Sequence, residues 1–147
     1  MDGQPLTTIT GDGIIIATPT GSTAYSMAAG GSLVHYKVPA MLFTPVCPFS
    51  LSFRPLIFPE HMTIEFRIPE DARYIAVVNI DGHTKFELDR NEVLTVTVSK
   101  FPASCNTHIT LDLIKSEEGL WEWCSKIQNI MNWNARMQSS KRVINET

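Results

Sequence analysis

The sequence predicts a mainly β fold with two helices. Three observations carry that reading. Between residues 9 and 115, short apolar runs recur every dozen residues or so, separated by Gly, Pro, Asn and Asp. Several of these runs alternate apolar and polar residues, the period of a strand with one buried face. The helical period of apolar residues is sustained in only one place, after residue 115, and cap and stop residues alone signal a second, short helix near residue 22.

In chain order, Gly13 to Thr18 holds Ile14, Ile15, Ile16 and Ala17 and is expected as a buried strand. A short helix is expected over roughly Ser22 to Ala29, with Thr20 or Ser22 as N-cap and Gly30-Gly31 ending it. Val38 to Val46 is another apolar run. Leu56-Ile57-Phe58 lies between Pro55 and Pro59 and fits a short edge piece. Thr63 to Ile68 places Ile64, Phe66 and Ile68 on one face. Tyr74 to Ile80, Asp81-Gly82 and His83 to Leu88 form a hairpin, because Asp-Gly suits a tight turn with positive φ. Val93 to Val98 alternates with threonines, and Ile109, Leu111 and Leu113 alternate with Thr110 and Asp112. The long helix is expected over roughly Ser116 to Met137. Ser116 can cap it, Glu117 and Glu118 suit its first turn, and Leu120, Cys124, Ile127, Met131 and Ala135 form its stripe, widened by Trp123, Ile130 and Met137.

The chain of 147 residues suits one compact domain, at most with a tail. With 44% hydrophobic and 18% charged residues it is not a disordered composition. The net charge of −3 offers no basic excess for a phosphate backbone, so no nucleic-acid partner is expected. No apolar stretch approaches the roughly 20 residues of a membrane helix, so no membrane partner is expected either. Cys47, Cys105 and Cys124 are odd in number and lack metal spacing, and His35, His61, His83 and His108 lack it too. No metal site and no disulfide framework are expected, and a reducing, cytoplasmic setting is the simple reading, with mitochondrion and plastid left open.

Chemistry concentrates in Gly11-Asp12-Gly13-Ile14-Ile15-Ile16-Ala17-Thr18-Pro19-Thr20-Gly21-Ser22-Thr23-Ala24-Tyr25. It reads as strand, sharp turn and helix start. Gly21 has no side chain to block close approach. The N–H groups of Ser22, Thr23 and Ala24 are expected to point outward, and with the hydroxyls of Thr20, Ser22 and Thr23 they suit a phosphate, ribose or carbonyl oxygen. Tyr25 adds an aromatic face, and Asp12 an acceptor for a hydroxyl or amide. The plain alternative is a helix cap, the usual role of a Ser/Thr-rich turn. The run is neither a Walker A loop, lacking the Lys, nor a Rossmann fingerprint, its glycines being spaced wrongly.

This run, followed by Ala29-Gly30-Gly31, closely resembles the signature of the NAD kinases. Pro48-Phe49-Ser50-Leu51-Ser52-Phe53-Arg54-Pro55-Leu56 resembles the family's second stretch, Asp81-Gly82 its hairpin, and Trp133-Asn134-Ala135-Arg136 the end of eukaryotic members. The resemblance implies the C-terminal β-rich, β-sandwich-like domain of the NAD kinase fold without the N-terminal α/β domain. Residues 1–115 would be the NAD-binding domain, incomplete at its N-terminus, and 116–147 the C-terminal helix and tail. It implies phosphorylation of NAD to NADP, with ATP and Mg2+ as co-substrates. Asp12, Thr20, Thr23, Ala24, Tyr25 and, less strongly, Asp81 would contact NAD. Ser52 and Arg54 would shape the wall, and Phe49 stands where the family often has His.

The family's Gly-Gly-Asp-Gly run, which supplies the proposed base and accepts ATP phosphates, is not among these residues. No catalytic residue is assigned, and the chain alone is expected to be nearly inactive. The resemblance also implies a homo-oligomer or association with an N-terminal kinase domain. Two other readings stand beside it: a non-catalytic NAD-binding or regulatory module partnering a full-length kinase, and a member of the wider lipid-kinase superfamily, against which the Thr18 to Tyr25 run argues.

Overall fold

The computed structural model describes residues 5–102 and 118–132, except for the side chains of residues 84, 85 and 118–122. The expectations for Ile109, Leu111, Leu113, Ser116, Glu117, Trp133, Ala135 and Met137 lie outside the described residues. The chain divides into two compact units, Met1–Pro102 and Ala103–Thr147.

The first unit is built from antiparallel strands. Strands β1 (Gly13–Ala17), β2 (Ala40–Val46) and β3 (Leu56–Pro59) form one sheet in that order. Strand β4 (Ile64–Arg67) pairs with β7 (Val93–Val96), and β5 (Ala76–Ile80) pairs with β6 (His83–Leu88). Between β1 and β2 lie a 3-10 turn (Thr20–Thr23) and the single-turn helix α1 (Tyr25–Ala28). Among the described residues the architecture is therefore mainly β with two helices, as the alternation and turn residues predict.

Strand β2 is the spine of this unit. Ala40 to Pro45 are all buried, as a strand flanked on both sides requires. Pro45 is tolerated because β3 pairs only with Ala40 to Phe43, so Pro45 lies beyond the three-stranded part. Phe43 is the aromatic centre. Its ring stacks on Phe66 of β4 at 6.1 Å, meets Phe58 of β3 edge-on at 6.3 Å, and lies 6.2 Å from Phe53. Strand β1, expected to be buried, is only half-buried and exposes Ile14, because among the described strands it pairs with β2 alone.

The other strands follow their patterns closely. Ile64 and Phe66 are half-buried while Glu65 and Arg67 are exposed. Ile80 pairs with His83 across a two-residue loop, and Asp81 and Gly82 have φ of 51° and 80°, as an Asp-Gly hairpin turn demands.

In the second unit, α2 (Glu118–Met131) buries Ile127 and half-buries Trp123, Cys124 and Met131. Ile130, expected to widen the stripe, is exposed. The helix stops at Met131, before the expected Met137. Asn132 adopts φ 48°, and its N–H donates to the Gln128 carbonyl at 2.9 Å. A short amide side chain tolerates that left-handed conformation and ends a helix much as glycine does. No helix among the described residues is long and apolar enough to cross a membrane.

Candidate functional site

The Thr18 to Tyr25 run leaves β1 through a turn that satisfies most of its own polar groups. Ser22 N–H donates to the Pro19 carbonyl at 3.1 Å, and Ala24 N–H to the Gly21 carbonyl at 3.1 Å. The expected outward cradle of N–H groups is thus corrected for Ser22 and Ala24, because the backbone tightens into a 3-10 turn and uses both. Neither Thr20 nor Ser22 caps the helix. The residue before the 3-10 turn is Pro19, which lacks a capping side chain, and Ala24 (φ −98°, ψ −135°) breaks the path between the turn and α1.

The hydroxyls are placed in two layers. Thr18 Oγ1 and Thr20 Oγ1 lie 2.8 Å apart on the exposed side, and Thr23 Oγ1 donates to the Thr20 carbonyl at 3.5 Å. Ser22 points inward and is fully buried. Its Oγ accepts the Val34 N–H at 3.1 Å and donates to the Val34 carbonyl at 3.3 Å. Tyr25 is 64% exposed, so its ring is free to face a ligand. A Cβ on Gly21 would make only ordinary contacts, 3.5 Å from Ala17 Cβ and 3.7 Å from Thr18 Oγ1. The fold itself does not require glycine there.

Asp12 sits at the far end of β1. The five strand residues between it and the turn span about 17 Å. Its N–H donates to the Val46 carbonyl at 3.0 Å, and Phe49 N–H donates to the Thr10 carbonyl at 2.8 Å. A Cβ on Gly11 would lie 2.9 Å from the Val46 carbonyl oxygen and 3.1 Å from that of Cys47, so glycine permits this close passage. The two motif segments are therefore laced together. Cys47, at φ 45°, is exposed and lies beside the Asp12 carboxylate. Hydrogen bonding to that carboxylate, and then its charge, push the thiol above its ordinary pKa.

The structure thus brings Thr20, Thr23, Ala24 and Tyr25 into one turn, puts Asp12 at the other end of β1, and puts Asp81 at the tip of the β5–β6 hairpin. Ser52 bonds Ser50 at 2.9 Å, and Arg54 Nη1 donates to the carbonyls of Leu51 and Phe53 at 2.7 and 2.8 Å, so both brace their own loop. Phe49 is exposed. Sequence reasoning missed Cys47, Ser26 and Thr44 as partners. In the helix expected over Ser22 to Ala29, Ser22 and Ser26 share one face, and that spacing was the available signal. Among the described residues no group of three or more His, Cys, Asp or Glu side chains is placed to hold a metal ion.

The family model for the ATP-NAD kinase C-terminal domain matches residues 1–107. The chain belongs to the NAD kinase family. Within that family, it is 45% identical over 132 residues to NAD kinase 2, chloroplastic, of Arabidopsis thaliana, an alignment covering 90% of this chain and 13% of the plant protein. It is 42% identical over 142 residues to probable NAD kinase 1 of Oryza sativa subsp. japonica, covering 95% and 25% of the two chains. Among solved NAD kinase structures, yeast NADH kinase complexed with NADH superposes with a TM-score of 0.67 at 35% identity, over 95% of this chain and 38% of that one. An NAD kinase from Archaeoglobus fulgidus in complex with ATP gives 0.65 at 28% identity, over 86% and 45%. The chain therefore spans about an eighth to a quarter of the length of these plant relatives.

Proposed function

We propose that this chain supplies the dinucleotide-binding surface of an NAD kinase, which transfers the γ-phosphate of ATP to the 2′-hydroxyl of the adenosine ribose of NAD. In that reaction the bond from the γ-phosphorus to its bridging oxygen breaks, the bond to O2′ forms, and the hydroxyl proton leaves to a base. None of the six candidate residues is assigned that base role. Mg2+ would accompany ATP, but the described residues supply no ligand set for it. Thr20, Thr23, Ala24 and Tyr25 would contact the dinucleotide directly, Asp12 would accept from an amide or hydroxyl, and Asp81 is a lesser contact. A cytoplasmic location and association with a second copy or with an N-terminal kinase domain belong to the same reading.

The observation that carries the proposal is the turn at Thr20–Tyr25: a signature run of the family in which Thr20 and Tyr25 are exposed and Thr23 is half-buried, around a glycine that packing does not require. A glycine that the fold could replace, in the middle of a polar turn, leaves room for something that approaches from outside.

Calorimetric titration of the folded chain with NAD tests this. Saturable binding is expected. Tyr25→Ala and Gly21→Ala should each weaken it about tenfold or more while circular dichroism stays unchanged. Unchanged affinity in both folded variants would remove the turn from the site. No binding by the native folded chain would reject these residues as a sufficient binding surface.

A further inference from the structure

The candidate contacts Thr23, Ala24 and Tyr25 lie between two buried serines. Ser22, fully buried, is bonded in both directions to the Val34 backbone. Ser26, 1% exposed, shares a hydrogen bond of 2.9 Å with Thr44 Oγ1, itself 1% exposed. Helix α1 has a single turn of four residues, far below the length at which a helix holds itself together in water. Its position is therefore imposed from outside, and these hydroxyls are the polar means of imposing it.

Thr44 is an unusual residue in its place. Strand β2 is otherwise apolar, Ala-Met-Leu-Phe-Thr-Pro-Val, and is buried from Ala40 to Pro45. A hydroxyl in such a strand costs free energy unless it finds a partner. The Ser26 hydroxyl is that partner, and the pair can close only when α1 lies in one position along β2. Gly31 seals the arrangement. Its N–H donates to the Ser26 carbonyl at 2.8 Å. A Cβ there would collide with Ser26 Oγ and would lie 2.7 Å from Thr44 Oγ1. The Gly30-Gly31 pair, whose sequence role was only to stop a helix, thus lets backbone cover the hydroxyl pair.

We infer that Thr44 is a positioning residue, which fixes Thr23, Ala24 and Tyr25 in place through the Ser26 hydroxyl. It touches no ligand itself. Its consequence for affinity rests on the proposed reading of that turn as an NAD contact. A plain packing role would be met equally well by valine, which has nearly the same shape. A positioning role needs the hydroxyl, so serine should serve and valine should not.

The experiment compares Thr44→Val and Thr44→Ser with the native chain by two readouts. The first is amide hydrogen exchange at Met27, Ala29 and Gly31, whose N–H groups bond within this segment, against Asp12 and Phe49, whose N–H groups bond at the far end of β1. The second is NAD affinity by calorimetry. Thr44→Val should speed exchange at Met27, Ala29 and Gly31 about tenfold, leave Asp12 and Phe49 unchanged, and weaken NAD binding by a similar factor. Thr44→Ser should restore both.

Unchanged exchange in Thr44→Val, a uniform rise at all five amides, or a Thr44→Ser variant as impaired as Thr44→Val would each overturn the inference. So would unchanged affinity beside loosened amides. If Thr44→Val fails to fold, Ser26→Ala removes the same bond from the α1 side and is judged by the same readouts. A native chain that binds no NAD, with the exchange pattern as expected, would sink the dinucleotide reading and still uphold the positioning of the turn.

Discussion

At Cys47 a left-handed backbone and a charged neighbour act on one side chain. The residue has φ 45°, a conformation that costs a non-glycine residue about 1–2 kcal/mol, and its thiol lies beside the Asp12 carboxylate. The carboxylate opposes the thiolate, so the folded pKa lies above the unfolded one. Below the ordinary thiol pKa both states hold the proton and the pair's contribution is fully present. As pH rises from there through the raised folded value, the unfolded state releases its proton first and the contribution is lost. Because the thiol is exposed, its reactivity is the better measure than stability. Iodoacetamide labelling of Cys47, followed by peptide mapping against pH, should show a midpoint above that of an ordinary thiol. Asp12→Asn should bring it down. A profile identical in the native chain and in Asp12→Asn would mean that the two groups do not pair.

Elements differ in how far their own residues determine them. The β5–β6 hairpin is legible because two adjacent residues encode its turn, and Asp81 and Gly82 take the positive φ values that Asp-Gly favours. This separates two roles at Asp81. Asn also tolerates a left-handed backbone, so Asp81→Asn should leave the thermal midpoint unchanged and alter NAD affinity only if the carboxylate contacts the ligand. Gly82→Ala places a side chain at φ 80°, which should cost about 1 kcal/mol and lower the midpoint by several degrees in differential scanning calorimetry. An unaffected Gly82→Ala midpoint would contradict the turn geometry. The segment after β1 was legible as turn and helix but not in its wiring. Local rules read Thr20 and Ser22 as caps, whereas Ser22 bonds Val34, twelve residues on, and Ser26 bonds Thr44, eighteen residues on. A pattern confined to neighbouring residues does not contain such partners. The end of α2 at Asn132 was different, since the asparagine was visible and its left-handed tendency went unused.

Across the described part of the first unit, the β1–β2–β3 sheet and the β4–β7 pair share a core, as a two-stranded pair that is at best marginal alone in water requires. Phe43 is where the sharing is concentrated. It belongs to the central strand, is buried, and packs on Phe58 of its own sheet and on Phe66 of the β4–β7 pair. Sequence patterning found both strands, but not that one phenylalanine joins them, since alternation tells which face is buried and not what covers it. Phe43→Ala should cost about 3–5 kcal/mol, from lost apolar burial and the cavity left behind. For a unit near 100 residues that corresponds to a fall of roughly 12 °C or more in thermal midpoint. The sharper expectation concerns cooperativity. If Phe43 couples the sheets, hydrogen exchange in Phe43→Ala should rise together in β2, in the β4–β7 pair and at the adjoining Asn91 amide, which bonds the Ile68 carbonyl at 2.8 Å. Phe43→Leu, which keeps most of the apolar volume, should move both in the same direction by less. Protection lost in β2 alone, with β4 and β7 as in the native chain, would show that the two sheets fold separately and that the ring contact between Phe43 and Phe66 carries no coupling.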